Sequence, residues 1–138
     1  MPRYLADTSA LGRMRIPTVA ARLAPLIEAG DIVTCGIVDL EVLITARSSA
    51  DQVQIRRERD LSFPRIDIVQ ADFDRAADVM LKLSEIGLHR AVSLPDLLIA
   101  AVAERAGLAV LHYDSDYDHI RTATGQPTEW VVPQGSLS

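Results

Sequence analysis

Short strand-like runs alternate with longer helical patterns along almost the whole chain, and that alternation limits the fold more than any other feature. The strand-like runs are Arg3–Ala6, Asp31–Cys35, Arg65–Val69, Ala109–Tyr113 and Glu129–Val132. Helical patterns fill the gaps at about Thr18–Ala29, Gly36–Arg47, Ala50–Leu61, Asp72–Ile86 and Pro95–Ala106, with a short one after Asp116. Gly30, Gly87 and Gly107 stand where three of these helices should stop, the usual place of a left-handed closing residue. Such alternation implies an α/β protein with a central, mostly parallel sheet and helices on both faces. Sites in these sheets form beyond the carboxyl ends of the strands.

At 138 residues the chain is long enough for one domain with a sizeable apolar core, expected over 1–134 with a mobile tail at 135–138. The single cysteine, Cys35, excludes an internal disulfide framework and fits a reducing cytoplasm. No signal peptide is visible, because a strand begins within the first few residues. The longest apolar stretch, Leu97–Ala103, is too short to span a bilayer. A soluble, cytoplasmic protein with no membrane partner is expected, and the helix carrying that stretch should be buried.

Carboxylates occupy places where a plain fold prefers other residues. Asp7 ends the first strand, and Asp7 or Ser9 could cap the next helix. The alternative places Asp7 on a metal, with the Ser9 hydroxyl as an auxiliary ligand or a donor to Asp7. Glu41 shares a stripe with Ile37, Leu40 and Ile44, so it should point inward or to a cleft floor, whereas Asp39 should lie among solvent. A buried carboxylate needs a cation, a proton or an arginine partner. Asp96 follows Leu94-Pro95 and meets the positive end of a helix dipole. In Asp114-Ser115-Asp116-Tyr117-Asp118, one acid, Asp116, could cap the next helix, but three exceed capping needs. Asp114 reads as a ligand, Asp116 as a ligand or neighbouring base, and Asp118 as solvent-facing. His112 should be a partly exposed strand-end histidine, and Arg56, Arg57 and Arg59 a solvated helix face.

The net charge of −5 argues at first against a nucleic-acid partner. Without Asp7, Glu41, Asp96, Asp114 and Asp116, the remaining acids equal the 14 basic residues, and bound cations would reverse the sign at the site. Thirteen of those basic residues are Arg, the side chain suited to bidentate phosphate contacts.

A strand followed by Asp7-Thr8-Ser9-Ala10, an acidic Glu41 on the second long helix, Leu94-Pro95-Asp96-Leu97-Leu98-Ile99-Ala100-Ala101, and a strand followed by Asp114-x-Asp116-Tyr117-Asp118 occur in that order. The combination resembles the PIN domain and, at this size, the VapC-type toxins of VapBC toxin–antitoxin systems, from about Arg3 to Val132. The resemblance implies a PIN-like three-layer α/β/α fold and a site on Asp7, Glu41, Asp96 and Asp114, with Asp116 as the frequent fifth acid and Ser9 as the small hydroxyl residue near the metal. His112 stands where many relatives carry Thr. The resemblance also implies a homodimer and a cognate VapB-type antitoxin whose C-terminal segment covers the site.

Other acid-bearing α/β sites fit less well. A phosphorylated receiver needs a strand-end lysine, and the only lysine here is Lys82, inside a helix. A haloacid dehalogenase needs Asp-x-Asp where this chain has Asp7-Thr8-Ser9, and no glycine-rich phosphate loop is present. Oxygen-rich ligation suits Mg²⁺ or Mn²⁺. The expected activity is endoribonuclease cleavage by a metal-activated water, on single-stranded or looped RNA such as transfer or ribosomal RNA. An antitoxin helix is expected near Leu23, Leu26 and Val42. The alternatives are a PIN-type nuclease of RNA processing or DNA metabolism, and a catalytically silent protein-binding module.

Overall fold

The strand runs pair into one sheet. In the computed structural model, which describes residues 1–137, five parallel strands lie in the order β3-β2-β1-β4-β5. They are β1 (Tyr4–Ala6), β2 (Ile32–Cys35), β3 (Arg65–Ile66), β4 (Ala109–His112) and β5 (Thr128–Trp130). The helices are α1 (Thr8–Leu11), α2 (Pro17–Glu28), α3 (Gly36–Leu43), α4 (Ser49–Ser62), α5 (Gln70–Glu85), α6 (Leu94–Ala106) and α7 (Asp116–Thr124).

Residue alternation along the strands divides the core in two. Leu5, Val33 and Val110 point to one face and pack with Val79, Leu83, Leu97, Ile99, Val102, Tyr117 and Ile120 from α5, α6 and α7. Tyr4, Ala6, Ile32 and Leu111 point to the other face and meet Ala10, Val19 and Leu23 from α1 and α2. Helix α6 is buried from Ile99 to Ala103, as its unbroken apolar run requires, and Gly107 closes it at φ 72°. Among the described residues no helix is long and apolar enough to cross a membrane.

Sheet order locates the crevice. The chain leaves β1 toward β2 and β3, then returns to place β4 and β5 on the other side of β1. Neighbouring strands β1 and β4 therefore send their connections in opposite directions, and a cleft opens at their carboxyl ends. Ala6 pairs with Leu111, so Asp7 and the loop after His112 flank that opening.

Some element boundaries differ from the sequence reading. β3 stops at Ile66 because Arg105 captures the Asp67 carbonyl at 2.6 Å and Asp72 captures the Val69 amide at 2.9 Å, drawing the chain off the sheet. α3 ends at Leu43, four residues early, because Ser48 Oγ accepts the Asp51 amide and starts α4 afresh. The four-residue α1, absent from the helical patterns above, is capped by Asp7. In the tail, the Gly135 and Leu137 amides donate to the Tyr113 hydroxyl at 3.1 and 3.2 Å.

The larger correction concerns α3. Leu40 and Ile44, expected on an inward stripe, are 63% and 82% exposed, while Val38 and Asp39 face the interior. The helix is rolled because Asp39 receives Arg59 and Arg65 at 2.9 and 2.6 Å, together with the Thr34 hydroxyl at 3.0 Å. Asp39 is thus buried rather than solvated, and Arg59 is a buried ion-pair partner rather than part of a solvated face. Leu23 is wholly buried in the core and is not available to a partner helix.

Candidate functional site

Three acids converge at the cleft. Asp96, Asp114 and Asp116 each offer a carboxylate oxygen within 4.8 Å of the others. Helix α6 supplies Asp96, the loop after β4 supplies Asp114, and Asp116 opens α7.

A capping exchange frees Asp96 for this position. Ser93 caps α6 by accepting the Asp96 amide at 3.3 Å, and in a reciprocal capping box Asp96 would return the bond to the Ser93 amide. Here Asp116 takes that amide at 3.1 Å instead. Asp116 therefore binds the start of α6, not its own helix, and Asp114 accepts the Asp116 amide at 2.9 Å.

Asp7 and Glu41 form the other wall. Asp7 caps α1, its Oδ2 accepting the Ser9 amide at 3.0 Å, so the capping role and the cleft position belong to one side chain. The Ser9 hydroxyl accepts the Tyr113 amide at 2.9 Å. Glu41 is half-buried and accepts the Thr8 hydroxyl at 3.2 Å. The wholly buried Tyr117 joins the two walls, its hydroxyl lying 2.9 Å from Asp7 Oδ1 and 3.1 Å from Asp96 Oδ1. Sequence reading assigned Tyr117 no role, although a tyrosine spaced i,i+3 with Ile120 on a buried helix stripe must find a partner for its hydroxyl.

Electrostatics follow from that crowding. Asp96 is pushed up to about 8 by burial, by a carboxyl–carboxyl contact with Asp116, and by the charges of Asp7, Asp114 and Asp116. Burial, together with neighbouring acids, also raises Asp114 and Glu41. Burial and the flanking carboxylates hold the Tyr117 phenol well above its ordinary value. None of the five acids has an Arg, Lys or His ion-pair partner among the described residues. Crowded carboxyl oxygens without a cationic partner, as at Asp96, Asp114 and Asp116, are the donor set that a hard divalent cation fits.

Two flanking residues also differ from expectation. His112 is fully buried, because its ring lies 4.8 Å from that of Tyr117 and 4.9 Å from that of Trp130. That burial pulls it down to about 4, so it is neutral. Asp118 accepts the Trp130 indole N–H at 3.1 Å and is only partly open to solvent.

The chain is similar to known proteins. A model of the PIN domain matches residues 4–123. Ribonuclease VapC21 of Mycobacterium tuberculosis is 42% identical over 134 residues, covering 97% of each chain. Ribonuclease VapC18 of the same organism is 42% identical over 136 residues, covering 97% of this chain and 98% of its own. Among solved structures, DNA-bound VapBC from Salmonella typhimurium superposes with a TM-score of 0.75 at 16% identity, over 96% of this chain and 100% of that one. VapBC2 from Rickettsia felis, bound to a promoter DNA fragment, gives 0.72 at 15% identity, over 91% and 96%. At those identities the structures speak for the fold alone. Matched over most of its length by the family model and by full-length relatives, the chain belongs to the PIN domain family, in its VapC group.

Proposed function

We propose that this chain is a divalent-metal-dependent endoribonuclease and the toxin of a type II toxin–antitoxin pair. The observation that carries the reading is the convergence of Asp96, Asp114 and Asp116, with no cationic partner, at the crevice of a PIN domain. The similarity to proteins named ribonuclease VapC supports RNA as the substrate.

Asp7, Glu41, Asp96, Asp114 and Asp116 would hold Mg²⁺ or Mn²⁺. Such a cation supplies Lewis-acid polarisation of the phosphate and a more acidic water. The residues themselves set the geometry. Asp116, its Oδ2 fixed by the Ser93 amide, is directed into the cleft and takes the proton of the attacking water. The water oxygen bonds to phosphorus as the bond to the 3′ oxygen breaks; that oxygen takes up a proton from solvent and Asp116 returns its own to solvent, giving 5′-phosphate and 3′-hydroxyl ends. Ser9 acts on this site through the backbone, holding the Tyr113 amide just ahead of Asp114.

The cognate partner would be a VapB-type antitoxin, in keeping with the VapBC complexes that share the fold. A basic side chain of that partner entering the carboxylate pocket would replace the cation. The exposed Leu40, on the helix that carries Glu41, and Ile44, which caps its C-terminus, offer an apolar lip for the antitoxin's helix. A homodimer belongs to the same reading.

Purified protein incubated with total RNA and Mn²⁺ should produce new 5′-phosphate ends. Excess EDTA should abolish them, and restored Mn²⁺ should return them. Cleavage that persists under chelation would remove the metal from the mechanism.

A further inference from the structure

The three clustered acids are joined by a chain of side-chain-to-amide hydrogen bonds. Ser93 Oγ accepts the Asp96 amide, Asp116 Oδ2 accepts the Ser93 amide, and Asp114 Oδ1 accepts the Asp116 amide. The chain begins at His112, whose Nδ1 accepts the Asp114 amide at 3.1 Å. An N–H pointing into Nδ1 requires that nitrogen to be unprotonated, so the ring proton resides on Nε2. His112 Nε2 is the one buried side-chain nitrogen or oxygen without a partner among the described residues. An unmatched buried donor is destabilising, a cost that a residue serving packing alone would avoid. The ring is further clamped between Tyr117 and Trp130, and Trp130 is itself tied to Asp118.

We propose that His112 is a positioning residue for the acidic centre, fixing through Nδ1 the turn that aims Asp114, and through Asp114 the Asp116 carboxylate. The inference rests on the metal reading of those acids. His112 does not bind the cation, because its acceptor nitrogen is already engaged. Any side chain that accepts the amide two residues ahead can do the same work, as Asn does in an Asx turn.

The test compares His112→Asn with His112→Leu, two residues of similar size of which only Asn carries the acceptor. Calorimetric titration of the full chain with Mn²⁺ should show affinity near the parent's for Asn and a loss of roughly tenfold or more for Leu. Equal affinities for the two variants would overturn the proposal. Should His112→Leu fail to fold, His112→Phe replaces it, since Phe keeps a ring between Tyr117 and Trp130 but accepts nothing. A parent that takes up no Mn²⁺ overturns the nuclease reading and this one with it, an outcome distinct from equal variants. Independently of metal, long-range ¹H–¹⁵N spectra should show His112 Nδ1 unprotonated and Nε2 protonated, and the opposite tautomer would also overturn it.

Discussion

Asp39 and Asp96 are almost equally buried, at 8% and 6% exposure, and both lie near the start of a helix. Their environments are opposite. Burial presses Asp39 upward, but hydrogen bonds from Arg65, Arg59 and Thr34 outweigh it and hold the carboxylate below its usual range. Asp96 meets only other acids and a phenol, and it rises to about 8. The same side chain at the same depth is settled in one place and left unsettled in the other. Settling it locks α3, α4, β2 and β3 together, while leaving it unsettled reserves a place for a cation.

The largest test of that contrast is the loss of each carboxylate's charge. Asp96→Asn should reduce RNA cleavage below detection while the melting temperature stays at or above the parent's, because it relieves repulsion. Asp39→Asn should do the reverse. Breaking one side of a buried pair costs about 3–5 kcal/mol, which denaturant titration would read, and the folded fraction should retain cleavage. If Asp96→Asn lost stability and Asp39→Asn kept it, the two environments would have been assigned the wrong way round.

Acidity separates the regions next. The folded protein holds the Asp96 proton more tightly than the unfolded chain does, so that contribution to stability is complete below the ordinary 3.8 and fades as pH rises to about 8. Buried His112 acts in the opposite sense between about 4 and 6.5, because there the unfolded chain binds the extra proton. Above 6.5 that opposition has ended. Metal-free protein should therefore lose melting temperature from pH 6.5 to 8, and Asp96→Asn or saturating Mn²⁺ should flatten the slope. Asp39, held below its ordinary value, keeps its contribution throughout that window and loses it only in acid. A metal-free melting temperature that climbed from pH 6.5 to 8 would contradict the crowding at Asp96.

Strand and helix alternation was legible because each element carries its own local signal: apolar runs for the strands, glycine stops at Gly30 and Gly107, and an unbroken apolar stretch for α6. Asp7 and Asp114 could be placed near one another because both follow strands of a parallel sheet. The roll of α3 could not be read. Its stripe of Ile37, Leu40 and Ile44 resembles a core face, and it is Arg59 and Arg65, twenty and twenty-six residues later, that help turn Asp39 inward. Helical periodicity carries no information on which distant arginine a helix will meet. The bond from Asp116 to Ser93 likewise joins residues 23 positions apart, so the capping exchange that frees Asp96 had no local trace. His112 was misjudged because its burial depends on Trp130 from the neighbouring strand.

The smallest expected effect lies within the settled region and asks which arginine settles it. Arg59 is nearly buried beside Asp39 and gives it two nitrogens, while Arg65 is about half exposed and shares itself between Asp39 and Asp60. Water screens an exposed guanidinium, so Arg65→Ala should cost only about 0.2–1 kcal/mol even though its contact with Asp39 is the shorter of the two. Arg59→Ala should approach the loss expected for Asp39→Asn, because it leaves the buried carboxylate without its buried partner. Equal losses from the two arginine variants would mean that the carboxylate is held by total charge and not by the enclosed pair. The contrast with Asp96 would then reflect only the number of nearby arginines.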